Sequence, residues 1–348
     1  MVIARQIYDT NLAVLMGEGT VLNSSHISRI RELGYSGAYV FEAMGGDIDV
    51  QGVVSDKLYL SAVKAAMDML NDAENARNRP GVKKLAGEQI KGVVSEVIMS
   101  VISSGHRLAD MFTLRPTESY SYFHAASVLI IAILIGVEMG IAGRKLEDLG
   151  SASLLHDIRE IFVPDGILQK AGGLTADERE AIKQSTEKAF EFMRGNLNLS
   201  IESCSGVFQS NENFDGSGYP MGLRGDKISL IAKIISVAEA YDALTSTRPF
   251  RKEPMYPHEA LEFISYQAGS MYDPQVVDVL KQVVAPWPPG LSVELSSGVR
   301  ALVIQNNIGH LDRPIVRLIG TVSRVPVYID LLRDPRFEAI RISGVADD

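Results

Sequence analysis

The chain has 348 residues, of which 46% are hydrophobic and 22% charged, a folded rather than a disordered composition. This length exceeds one ordinary core and fits two or three units. With 34 basic against 43 acidic residues the net charge is −9, which excludes nucleic-acid binding through a general phosphate-attracting surface but permits a local basic pocket for a small anion.

The single cysteine, Cys204, excludes an internal disulfide and a thiolate metal site, and points to a reducing, cytoplasmic setting. The opening MVIARQIYDTNL holds no apolar stretch of leader length. Residues 1–50 read as a small β/α module. Short strands flank the turn from Gly17 to Gly19. A helix follows, capped by Asn23, Ser24 or Ser25 and ended by Gly34, and then a strand at 38–41. Residues 51–118 read as a helical connector. Leu85, Ile90, Val93, Val94, Val97, Ile98 and Val101 recur near the helical period, and a loop at 75–81 separates two long helices suited to forming a homodimer.

Residues 119–285 read as the large helical domain. Its most apolar run, 128–137, ends at Glu138 and falls short of the roughly 20 residues that cross a bilayer, so it is expected to be a buried helix, with no membrane association. Pro286, Pro288 and Pro289 around Trp287 mark a boundary. Beyond it, residues 286–348 read as a small β module. The expected fold class is mainly α: an all-helical domain with small β-rich modules at the N- and C-terminus.

Four polar residues stand where the period predicts core. His124 begins a stripe continued by Val128, Ile131 and Ile135. His156 and Asp157 lie seven and eight residues after Leu149, on its face, and Glu239 shares a stripe with Ile231, Ile235 and Asp242. Charged groups on buried faces are costly unless paired or bound to metal. Two imidazoles and two carboxylates converging from three helices would suit a divalent metal such as manganese, iron or zinc. A lone core histidine is more often satisfied by a carbonyl, so the case rests on the set. The remaining histidines, His26, His106, His258 and His310, read as plain structural or surface residues, as do Cys204 and Trp287.

The order His124, then His156-Asp157, then a late carboxylate resembles the HD superfamily of metal-dependent phosphohydrolases. The flanking text is more specific. LLHDIREIFVPDGILQKAGGLT from Leu154 resembles the HD-GYP signature, NFDGSGYPMGLRGDKI from Asn213 carries Gly218-Tyr219-Pro220, and AEAYDALTSTRPFRK from Ala238 resembles another run of the family. The resemblance covers roughly residues 119–274. It implies hydrolysis of cyclic di-GMP at a centre of two or three metals sharing Asp157, with Asp157 catalytic. It also implies ligand contacts from Gly218, Tyr219, Pro220, Arg248 and Arg251. The region around Gly218-Tyr219-Pro220 is further implied as a contact for signalling proteins.

The departures are as informative. Where the resemblance leads one to expect glycine and lysine after the pair, the chain has Arg159 and Glu160. Expected histidines are Ser185, Ser210 and Asn211, the expected glutamate Glu212 remains, and the late aspartate is Glu239. The retained set, His124, His156, Asp157 and Glu239, fits one divalent metal, iron, manganese or another, and a second metal is not expected. Glu160 would place negative charge near the phosphate. Arg159 could pair with it or reach the phosphate instead. Lys170 reads as a solvated side chain. The expected function is therefore a protein of cyclic di-GMP signalling with a depleted metal site, weakly active or inactive, working through ligand or partner binding. The alternatives are an active mononuclear phosphohydrolase, with Asp242 or Glu212 orienting water, and a structural adaptor.

Overall fold

The apolar stripes of the sequence fold as helices that bury them. Ile90, Val94, Val97 and Val101 recur along α3 (Glu88–Ser103), and all are buried. The computed structural model describes residues 1–9, 12–33, 35, 38, 40–41, 52–78, 88–104, 120–164, 166–167, 170, 173–247, 254–320 and 325–346. Arg248, Arg251 and His106, read above as site or surface residues, lie outside the described residues.

The N-terminal module holds β1 (Val2–Ile3), β2 (Ile7–Tyr8), β3 (Val14–Met16), α1 (Ser24–Glu32) and β4 (Val40–Phe41). Asn23 caps α1, accepting from the backbone N–H of His26 as its short side chain allows. Two antiparallel pairs, β1 with β4 and β2 with β3, join α1 around a small core of Ile3, Ile7, Met16, Ile30 and Tyr35.

The helical body runs through α2 (Asp56–Asn78), α3, α4 (Tyr120–Glu138), α5 (Arg144–Leu154), α6 (Ala176–Asn196), α7 (Ile201–Gln209), α8 (Leu230–Thr245), α9 (Pro257–Tyr266) and α10 (Pro274–Val283). α2 continues to Asn78, into the stretch expected as a loop at 75–81. The pair expected as a connector also shares the main core: Val63, Ala66, Val94 and Val97 are buried in one cluster with Phe123, Leu129, Leu149 and Ile234. An amphipathic helix gains most of its stability by such packing, so these two helices are structural walls of the body.

α4 is the central member and packs against α2, α3, α5, α8 and α10. Its apolar window is 78% buried inside the fold, so its hydropathy is that of a core helix. Close helix contacts depend on missing side chains. A Cβ at Gly206 of α7 would lie 2.2 Å from Ile231 Cγ2 of α8. The C-terminal module is a five-stranded antiparallel sheet in the order β8 (Tyr328–Asp330), β7 (His310–Leu318), β6 (Arg300–Asn307), β5 (Ser292–Leu295), β9 (Ile342–Val345). Trp287, Val293, Val303, Val316 and Ile329 form its core.

Candidate metal centre

His124, in the first turns of α4, and Asp242, near the end of α8, are 1% and 2% exposed. Their helices pack side by side and bring His124 Nδ1 to 2.6 Å from Asp242 Oδ2. This fixes the proton on Nδ1 and leaves the Nε2 lone pair free. Tyr120 stacks on the same ring, with centroids 5.3 Å apart.

His156 and Asp157 do not sit on the face of a helix, as helical extrapolation from Leu149 expects. α5 ends at Leu154, and the pair occupies the turn that leads into a 3-10 helix at Ile158–Phe162. Adjacent residues on an α-helix point about 100° apart, whereas this turn lets both side chains converge. His156 Nδ1 donates to the carbonyl of Ser153 at 2.8 Å, so its Nε2 is also directed inward.

His124 Nε2 and His156 Nε2 are 3.3 Å apart. Asp157 Oδ2 lies 3.2 Å from His156 Nε2 and 3.8 Å from His124 Nε2. Donors held about 2.1 Å from a divalent ion at near-right or tetrahedral angles are about 3.0–3.4 Å apart; two of the three separations lie in this range and the third, 3.8 Å, is wider, a set that one metal could draw together. Among the described residues it is the one grouping of three or more such donors. Glu239, read with the set from sequence, does not join it. It is half-buried on α8 and acts on the group through its charge, felt at His156, Arg159, Glu160 and Tyr219.

The charges interlock. Burial opposes a proton on His156, but Asp157 first and then Glu239 outweigh it, and the imidazole is pushed up to about 9. Burial likewise opposes charge on Asp157, yet His156, Arg159 and His124 hold its carboxyl well below the ordinary range. Glu160 goes the other way. Burial, then the Asp157 charge, pushes it up to about 8, so at neutral pH it is mainly protonated and does not present the negative charge that its position in the sequence suggests. Arg159 Nη2 lies 3.6 Å from Asp157 Oδ1.

The positions where the sequence departs from the expected ligands are occupied by internal bonds. The Ser185 hydroxyl donates to the carbonyls of Phe162 and Ala181 at 3.1 and 2.7 Å. Ser210 donates to the carbonyl of Val207 at 2.9 Å. Asn211 Oδ1 accepts from the Tyr219 hydroxyl at 2.9 Å, turning that side chain inward. Glu212, 3% exposed, accepts from the backbone N–H groups of Met221 and Leu223 at 2.7 and 3.0 Å, so it clamps the loop, and it does not join the metal set. Gly218 permits the approach this needs, because a Cβ there would lie 2.2 Å from Asn213 N. Pro220 is buried after a cis Tyr219-Pro220 bond. Lys170 pairs with Glu178 at 2.8 Å, the glutamate of the α6 capping box.

A family profile described as HD domain matches residues 108–276. A cyclic di-GMP phosphodiesterase of Pseudomonas aeruginosa is 30% identical over 236 residues, covering 68% of this chain and 56% of that protein. A cyclic di-GMP phosphodiesterase response regulator of Xanthomonas campestris is 36% identical over 151 residues, 43% of this chain and 40% of that one.

The chain belongs to the HD-GYP family.

It spans about half the length of these curated relatives. The fold agrees with a solved HDG"Y"P protein from Bdellovibrio bacteriovorus, at a TM-score of 0.53 and 16% identity over 80% of this chain and 94% of that one. Sequence reasoning placed His124, His156 and Asp157 in this HD-GYP centre. From sequence Asp242 reads as a group to orient water or to pair with Arg248 or Arg251, although an acid on a core stripe beside a candidate ligand is itself a signal for a carboxylate–histidine pair.

Proposed function

We propose that this HD-GYP protein binds a cyclic di-GMP-like phosphodiester at a single-metal centre and acts in signalling through that binding, with little or no hydrolysis. The observation that carries the reading is the contrast at the site. Two imidazole Nε2 atoms and one carboxylate oxygen converge, and a metal would take the place of the proton that His156 carries at neutral pH. Ser185, Ser210, Asn211 and Glu212, by contrast, are committed to protein bonds. His124, His156 and Asp157 would hold the metal, which when bound would supply Lewis-acid polarisation of a phosphoryl oxygen. Asp242 and the Ser153 carbonyl orient the imidazoles. Tyr219, held by Asn211, forms one wall. Gly218 and Pro220 shape the same wall, and Arg248 and Arg251 are proposed to contact the phosphates. Glu239 is proposed as a longer-range carboxylate that draws the metal in. Exposed Met221, beside Pro220, supports a partner contact there, and exposed Met99 and Ile102, one turn apart on α3, support a homodimer.

The test is an anaerobic assay of the purified chain with cyclic di-GMP and iron or manganese, together with metal content and calorimetric binding of the nucleotide. The reading expects at most one metal per chain, binding, and turnover no higher than in His156→Ala. Turnover that disappears in His156→Ala would overturn it in favour of a mononuclear hydrolase. That second reading is favoured by the two imidazoles being held in fixed orientation, each by its Nδ1, with Nε2 turned toward the shared point. Absence of both binding and turnover would overturn both.

A further inference from the structure

Arg159 enters the site by the local geometry of the chain. It is the second residue of the 3-10 helix Ile158–Phe162, immediately after the turn that carries His156 and Asp157. The tighter winding of a 3-10 segment sends it back toward Asp157. Its side chain is 15% exposed, unusual for a residue that normally keeps its head in water.

The partners of that head are the informative part. The approach to Asp157 Oδ1, 3.6 Å, is ion-pair range but too long for a hydrogen bond. Among the described residues the guanidinium makes no hydrogen bond at all. Glu160, the neighbour in sequence, is not its ion-pair partner. A guanidinium carries five N–H donors in a planar fork, and none of the Arg159 nitrogens is a fully buried atom without a partner, so these donors still reach solvent. Burial opposes the charge, and the carboxylates of Asp157 and Glu239 stabilise it through space without taking those donors. The donors are therefore available to something that enters the site.

Asp157 divides the space. Its Oδ2 faces the two imidazoles, and its Oδ1 faces Arg159. A ligand oxygen resting beside the imidazole pair lies next to the guanidinium as well. The planar fork matches a phosphoryl group, which offers two oxygens side by side. Arg159 offsets the negative charge that Asp157 and Glu239 would otherwise turn toward such a group.

We infer that Arg159 is the phosphoryl-binding residue of this centre: its unused N–H groups grip the non-bridging oxygens of a phosphoester whose remaining oxygen faces His124, His156 and Asp157. This deepens the proposed function and rests on its placement of a phosphoester at this site. It makes Arg159 a fixed cation of the site, present whether or not a metal is bound.

The experiment uses inorganic phosphate as the probe and calorimetry on the full chain, once after chelator treatment and once with manganese. Metal content and thermal unfolding are read on the same samples. Wild type should bind phosphate in both states. Arg159→Gln should weaken binding at least tenfold in both states, with metal content unchanged. Arg159→Lys, which keeps the charge but not the fork, should recover only part of the loss. Exposed Arg144, remote from the site on α5, serves as the control, and Arg144→Gln should bind as wild type. Equal phosphate affinity in wild type, Arg159→Gln and Arg159→Lys would overturn the inference, as would a wild type that binds no phosphate in either state. Should Arg159→Gln unfold, the Lys variant decides alone: full wild-type affinity overturns the bidentate grip. Hydrolysis of cyclic di-GMP by wild type would overturn the non-hydrolytic reading and leave this result standing, because phosphate binding is read without turnover.

Discussion

The two sides of the centre use the same kinds of atoms in opposite ways. On the His124–His156 side each imidazole spends one nitrogen on a protein partner and keeps the other directed inward. On the Ser185–Glu212 side the hydroxyl protons and both carboxylate oxygens are engaged by backbone groups. A polar group oriented toward other ligand-type atoms is prepared for a ligand, whereas one oriented by and onto the backbone is scaffold. The comparison teaches that a burial pattern alone does not identify a site, since His124 and Glu212 are equally hidden.

The contrast is sharpest at the orienting groups. Asp242→Ala should leave His124 free to rotate and lower metal affinity by about 10–100-fold, read by competition with a chelator. An unchanged affinity would mean that the Asp242 contact orients nothing. On the scaffold side the largest effect is expected at Gly218. Gly218→Ala forces a Cβ against the Asn213 backbone and should cost about 1–3 kcal/mol in urea unfolding. It should also free Tyr219 from Asn211, visible as a change in the near-ultraviolet tyrosine signal. Full stability in this variant would show that the loop has room to relax.

Glu212→Gln weakens one of the two backbone contacts and should cost about 1–2 kcal/mol with no change in metal content. If metal content fell instead, Glu212 would belong to the ligand side and the comparison would fail. The most gradual effect is with pH, in the metal-free protein. His156 titrates near 9 instead of 6.5, so its contribution is complete below 6.5 and is lost as pH rises through 9. Glu160 titrates near 8 instead of 4.5, so the folded state also holds this proton longer and loses stability as pH rises from 4.5 to 8. Tm should therefore fall between pH 5 and pH 9. Glu160→Gln should confine the fall to the upper half of that range, and a Tm that rises across it would contradict both assignments.

Much of this was legible in the residues. The 3.6-residue stripes in α3, α4 and α8 locate the core and, by interruption, the polar residues His124, Glu239 and Asp242 on it. The Gly218-Tyr219-Pro220 text located the loop. Less legible was the length of α2, because nothing in the loop-like composition at 75–81 outweighs the packing of the helix before it.

The sequence by itself determined the helical body, the β modules at its ends and the presence of His124, His156 and Asp157 in one centre, because side-chain period and burial cost act locally along each helix. Only the tertiary structure decided which polar atoms remain free. The end of α5 at Leu154 and the 3-10 turn after it changed the directions of His156, Asp157, Arg159 and Glu160, which no helical wheel could carry past that end. The loop after α7 then consumed both oxygens of Glu212 and the amide of Asn211. Those outcomes depend on distances of a few tenths of an ångström between segments far apart in the chain, and such distances exist only once the helices have packed.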